Sequence, residues 1–182
     1  MRVLGVDPGS AVTGFGIVEG APGHFQFIAA DTIRTRPGEP MPERLRIIHH
    51  GLLKVIDEFT PAAMSLERNF VARNIQSAFR IGEVRAVAML AAAERGLPLY
   101  EYPPNEVKLA VAAFGHADKL QVKFMVRRTL ALDADYELAD DASDALALAV
   151  CHLGRARPLR VTDAVERPAR GGASRAIRSR KR

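Results

Sequence analysis

The chain has 182 residues, 48% of them hydrophobic and 26% charged, with 26 Lys+Arg against 21 Asp+Glu. That balance excludes a disordered chain and describes one soluble globular domain with a short appendage, large enough to bury roughly 70% of its unfolded surface without disulfide or structural metal. A single cysteine, Cys151, an N-terminus without a leader's apolar stretch, and the lack of any apolar run of about 18 residues predict a cytoplasmic protein with no membrane span.

Arg2 to Val6 is an apolar run of strand length that ends at Asp7-Pro8-Gly9-Ser10, because proline cannot continue a paired strand. Thr13 to Glu19 and Phe25 to Ile33 read as two further strands joined by Ala21-Pro22-Gly23, which predicts an antiparallel meander. Pro40 and Pro42 then permit a helix start, and Leu45, Ile48, Leu52, Val55 and Phe59 recur at helical spacing. Ala62 to Glu67 is a buried strand candidate, and its place after a helix makes it parallel to an earlier strand.

Gln76 to Arg95 predicts a long helix with apolar and small residues on more than one face, so it packs on the sheet and on something further, either this chain's own core or a second subunit. Leu97 to Tyr102 is a short strand closed by Pro103-Pro104. Helices follow at Asn105 to Phe114, Lys119 to Leu130 and Asp140 to Leu153. The expected fold class is α/β, a mixed five-stranded sheet with helices on both faces, occupying residues 1–154.

Residues 155–182 hold ten basic groups and two acids, a local net of +8, against a formal net of +5 for the whole chain. They lack apolar periodicity and read as a flexible basic tail, of a kind that attracts phosphate backbones without reading sequence. A solubilising tail is the plainer reading.

Asp7 and Glu67 both terminate apolar strands, and Asp141 and Asp144 stand i, i+3 near the start of the last helix. Gly9, Gly14 and Gly16 follow Asp7 and clear space for another backbone or a phosphate. Four acids at element ends can converge on one pocket, where their repulsion calls for a counter-ion; hard oxygen donors suit Mg²⁺ or Mn²⁺, and a pair of such ions hydrolyses phosphodiesters in line. Each acid also has a duller reading: Asp141 and Asp144 as helix-end carboxylates, Glu67 as a solvated strand end, Asp7-Pro8-Gly9 as a turn. Asp140 competes for either helix position, since it shares a face with Asp144.

Asp7-Pro8-Gly9-Ser10 with Thr13-Gly14-Phe15-Gly16, Leu66-Glu67 with Phe70 three residues on, and Asp141-Ala142-Ser143-Asp144-Ala145-Leu146-Ala147 together resemble the RuvC family of bacterial Holliday junction resolvases over residues 1–154. The resemblance implies a ribonuclease H-like fold, a homodimer, and divalent-metal-dependent paired nicking of four-way junction DNA that leaves 5′-phosphate and 3′-hydroxyl ends. It assigns metal binding and catalysis to Asp7, Glu67, Asp141 and Asp144, with two Mg²⁺ or Mn²⁺ ions, and thereby favours Asp141 over Asp140. It makes the two-sided helix the candidate subunit interface, Phe70 a ring that stacks on an unpaired base, Lys108 and Lys119 DNA-contacting residues, and a branch-migration complex the partner. Arg73 and Arg80, with Arg68, Lys123, Arg127 and Arg128, are further candidate phosphate contacts.

The histidines at 49, 50, 116 and 152 have no partner at metal-ligand spacing and are expected at the surface or in supporting positions, and Cys151 as a packed thiol. Two other classes compete with the nuclease. One is a non-cleaving junction-binding or architectural protein; the other is an actin-like ATPase, which needs a second phosphate-binding half that this length does not hold.

Overall fold

In the computed structural model, which describes residues 1–68 and 75–155, the elements run β1 (Arg2–Asp7), β2 (Val12–Ala21), β3 (His24–Arg34), α1 (Met41–Phe59), β4 (Ala63–Glu67), α2 (Ile75–Glu94), β5 (Leu99–Tyr102), α3 (Pro104–Ala112), α4 (Lys119–Thr129) and α5 (Asp140–Gly154). The strand order is β3-β2-β1-β4-β5, antiparallel from β3 to β1 and parallel from β1 to β5. The predicted meander and the parallel return of β4 are both present. The fifth strand starts two residues later than expected, at Leu99. Leu97 instead donates its N–H to Ala92 O at 2.8 Å and closes the end of α2.

Strand alternation divides the core in two. Leu4, Val6, Ile17, Met64, Leu66 and Leu99 face α1 and α2, while Val3, Val18, Ala63, Tyr100 and Tyr102 face α3, α4 and α5. On β1 this parity sends Val3, Gly5 and Asp7 to the α5 side; on β4 it sends Ala63, Ser65 and Glu67 there. The register sets Val6 beside Leu66, so the two acids follow next to each other at the carboxyl end of adjacent parallel strands.

α5 does not rest on side chains in the usual way; its backbone lies on the sheet. A Cβ built on Gly5 would stand 1.9 Å from Ala145 O, and one on Gly14 would stand 2.0 Å from Asp141 O. Only glycine permits that approach. Ser65 completes the seat by donating its hydroxyl to Leu148 O at 3.0 Å. The helix is buried along nearly its whole length from Ala142 to Leu153, and Asp141 and Asp144 keep partial exposure at its first turns.

His152 departs from the expected surface or supporting position. It is 3% exposed, its ring is packed at a tilt against Tyr100 with centroids 4.5 Å apart, and its Nδ1 shares a 2.8 Å hydrogen bond with the Tyr102 hydroxyl. Burial pushes its pKa down to about 4, so it is a neutral core residue. Cys151 is a buried thiol as expected, with burial pushing it up to about 12.

Alanine in a strand interior is ordinarily a mild improvement over glycine. At Gly5 the opposite is expected: Gly5→Ala should destabilise the chain by about 1–3 kcal/mol, the usual cost of overpacking, measured by urea unfolding. An unchanged midpoint would show that α5 can ride higher on the sheet.

Candidate active site

Asp7 and Glu67 end their strands on the α5 side, and α5 brings Asp144 over them. These three carboxylates, with Lys108, Lys119, Pro104, Val107, Val122, Ala147 and Leu148, line one cavity of about 330 Å³. Asp141 lies one turn nearer the start of α5; its charge acts on Asp7, although it does not form part of the cavity wall.

Two helix starts deliver the lysines. Pro103 and Pro104 start α3, whose second turn carries Lys108. Asp118 and Gln121 form a capping box at the head of α4: the Asp118 carboxylate accepts from the Gln121 N–H at 2.8 Å, and the Gln121 side chain accepts from the Asp118 N–H at 3.1 Å. The box fixes Lys119 as the first residue of the helix. Its Nζ donates to Asp144 Oδ2 at 2.9 Å.

The electrostatics are those of a cluster short of positive charge. Burial pushes Asp7 up from 3.8 to about 7, with Asp144, Glu67 and Asp141 adding repulsion in that order and Lys119 opposing. Glu67 is also raised, by burial and then by Asp144, with Lys119, Arg85 and Lys108 pulling it down. The Lys119 ammonium is held in its charged form, chiefly by the hydrogen bond it donates to Asp144.

The cavity offers hard anionic oxygens and no His or Cys donor, which in kind suits a cation such as Mg²⁺ or Mn²⁺. As they stand, no three His, Cys, Asp or Glu side chains among the described residues are arranged to hold a metal ion. Asp144 is engaged by Lys119 instead. The set fits such a cation in donor chemistry and in its excess of negative charge, and not in its present arrangement.

Asp140 is turned away. Its exposed carboxylate pairs with Lys123 Nζ at 2.6 Å and is held below the usual carboxylate range by that contact. Lys123 is thereby committed, and Arg127 is spent on the carbonyls of Asp133, Ala134 and Tyr136. Arg80 is exposed on α2, and Arg128 lies 5.8 Å from the Phe124 ring on α4. Phe70, Arg73 and the tail beyond residue 155 lie outside the described residues. Arg85, which the sequence does not single out, approaches Glu67 from α2; nothing in its own helical position sets it apart from its neighbours.

A family model described as "Crossover junction endodeoxyribonuclease RuvC" matches residues 3–152. A protein of that name from Pelotomaculum thermopropionicum is 45% identical over 152 residues, which is 84% of this chain and 92% of the relative. One from Chloroflexus aurantiacus is 46% identical over the same shares. Among solved structures, that of T. thermophilus RuvC in complex with Holliday junction substrate is similar with a TM-score of 0.79 at 36% identity, covering 87% of this chain and 99% of that one.

A carboxyl raised in the folded state binds its proton more tightly there than when unfolded, so the Asp7 contribution to stability falls as pH rises from about 4 to about 7. In EDTA at pH 8, Asp7→Asn should therefore melt above the unaltered chain, by roughly 2–4 °C for each kcal/mol of repulsion relieved, and the gap should close toward pH 4. Scanning calorimetry at the two pH values checks this; a variant that melts lower at pH 8 refutes it.

Proposed function

This chain belongs to the RuvC family of crossover junction endodeoxyribonucleases, and from that premise we propose that it resolves four-way DNA junctions by symmetric paired nicks at the Asp7, Glu67 and Asp144 cavity. The observation that carries the reading is the position of these partly buried, mutually repelling carboxylates, two side by side on parallel strand ends and the third on the first turns of α5 above them. Structural roles alone do not call for such an arrangement, since it costs stability wherever the acids are ionised.

In this proposal Asp7, Glu67, Asp141 and Asp144 would hold two divalent cations, Mg²⁺ or Mn²⁺. When bound, the cations activate water and neutralise charge on the scissile phosphate. The chain's own residues prepare that event. β1 and β4 set two carboxylates on strand ends, and α5, seated on glycines, sets the third above them. Lys108 and Lys119 line the same cavity, where their ammonium groups draw in and orient a phosphate. Lys119 also shields Asp144 until its partner changes. Hydrolysis leaves 5′-phosphate and 3′-hydroxyl ends.

Paired cuts on strands of like polarity require two such sites related by a two-fold axis. α2 is suited to that interface: Val84, Ala88, Ala91 and Ala92 bury one face in the core, while Phe79 and Leu90 are 70% and 52% exposed on another. Large apolar residues left on the outside of a core helix mark an interaction surface. Phe70, in the segment after Glu67, is proposed to stack on an unpaired base, and Arg73 and Arg80 to meet phosphates. A branch-migration complex is the partner that family membership implies, and the cytoplasm the compartment. No described helix is long and apolar enough to cross a membrane.

Asp7→Asn should reduce nicking of a mobile four-way junction in Mg²⁺ by at least about 10³-fold, the scale of losing an essential charge at a reacting centre, while leaving junction binding within about twofold. Gel-based cleavage and mobility-shift assays read the two separately. An unaltered chain that binds junctions but never cuts, in either Mg²⁺ or Mn²⁺, would instead establish an architectural protein.

Removing residues 155–182 takes away a net charge of +8. The truncated chain should lose DNA affinity more at about 50 mM than at about 200 mM salt and show a shallower salt slope, with cleavage of bound junctions intact. Identical slopes would make the tail a bystander.

A further inference from the structure

Glu67 is held from two sides. Its carboxylate faces α5 by strand alternation, and its backbone carbonyl accepts a hydrogen bond from Arg85 Nη1, which arrives from α2 across the opposite layer. The second arm of the same guanidinium, Nη2, is ion-paired with Glu101 Oε1 on β5. Both side chains of the pair are largely buried, at 15% and 13% exposure. Glu101 lies in register beside Leu66, on the strand that flanks β4, and the Arg68 N–H donates to Tyr102 O at 2.7 Å one position further on.

The location is particular. β4 ends at Glu67, so its carbonyl is one of the last on the strand, where ladder pairing runs out. A planar fork with one arm on a carboxylate and the other on this carbonyl fixes both position and direction. As a source of stability the pair has little to recommend it, because an apolar pair of similar volume holds a helix to a sheet as well or better. What apolar packing cannot supply is a directed contact on one peptide unit.

From these contacts we infer that Arg85, steered by Glu101, is a positioning residue for Glu67: it clamps the peptide that carries the carboxylate and so sets where that carboxylate meets a cation. The inference rests on the proposed role of Glu67 as a metal ligand. The guanidinium is not part of the cavity wall; it grips the Glu67 backbone, and its charge also acts on the Glu67 carboxylate.

The test uses full-length Arg85→Ala, Arg85→Lys and Glu101→Gln beside the unaltered chain. Mn²⁺ binding to junction-free protein is measured by calorimetry, junction affinity in EDTA by mobility shift, and single-turnover cleavage across a Mg²⁺ titration. Arg85→Ala is expected to weaken Mn²⁺ binding and raise the Mg²⁺ concentration for half-maximal cleavage by about 10-fold or more, the range seen when a ligand's supporting contact is lost. Junction affinity in EDTA should stay within about twofold. Arg85→Lys, which reaches one acceptor but not both, should recover part of the loss, and Glu101→Gln should shift the midpoint less than Arg85→Ala.

A folded Arg85→Ala with unchanged Mn²⁺ affinity and Mg²⁺ midpoint overturns the inference. Should that variant not fold, the same two readings on Arg85→Lys decide it, and unchanged values overturn it equally. If the unaltered chain binds Mn²⁺ but does not cut junctions, the nuclease reading fails while the calorimetry still judges Arg85. No Mn²⁺ binding by the unaltered chain overturns both.

Discussion

The backbone of α5 lies against the backbones of β1 and β2, and that contact governs everything at the carboxyl edge of the sheet. It exists because Gly5 and Gly14 present no Cβ where Ala145 O and Asp141 O come down. Ordinary helix-on-sheet packing, mediated by side chains, leaves room for a helix to slide or roll by an ångström or so. Here the peptide groups themselves are in contact, which removes that freedom. The consequence is geometric: the acid-bearing first turns of α5 are held over two strand ends with little slack.

The same placement makes the cavity electrostatically unfavourable in the absence of cations. Asp7 is pushed up to about 7 by burial and by three neighbouring carboxylates. Two lysines moderate the repulsion; Lys119 does so directly through its 2.9 Å contact with Asp144. The protein's fold is thus strained toward binding positive charge, and its own ammonium groups provide a partial, displaceable answer. A phosphodiester brought to the cavity meets carboxylates and lysines in one small volume, an arrangement suited to cation-assisted hydrolysis in a way that neither set alone would be.

α2 links this chemistry to the outside of the molecule. One side of it packs into the core through Val84, Ala88 and Ala91, another exposes Phe79 and Leu90, and between them Arg85 reaches the end of β4. A single rigid element therefore carries the candidate subunit surface and the contact on Glu67. By contrast, several cations that look available on α4 are already engaged, Lys123 with Asp140 and Arg127 with three carbonyls of the loop before α5.

Element type was legible in the sequence because it depends on short-range physics: proline at 8 and 103 stops strands, Pro61 separates a helix from the strand after it, apolar spacing separates helix from strand, and the i, i+3 placement of Asp141 and Asp144 follows from helical pitch. The glycines after Asp7 also announced a close approach, without saying that the visitor was the last helix. Tertiary structure alone decided which faces meet. The register that sets Asp7 beside Glu67, the outward turn of Asp140, the burial of His152 against Tyr100 and Tyr102, and the grip of Arg85 on Glu67 all join residues far apart in the chain. Such pairings are fixed by the total packing of two core layers, and no local window of sequence contains that information.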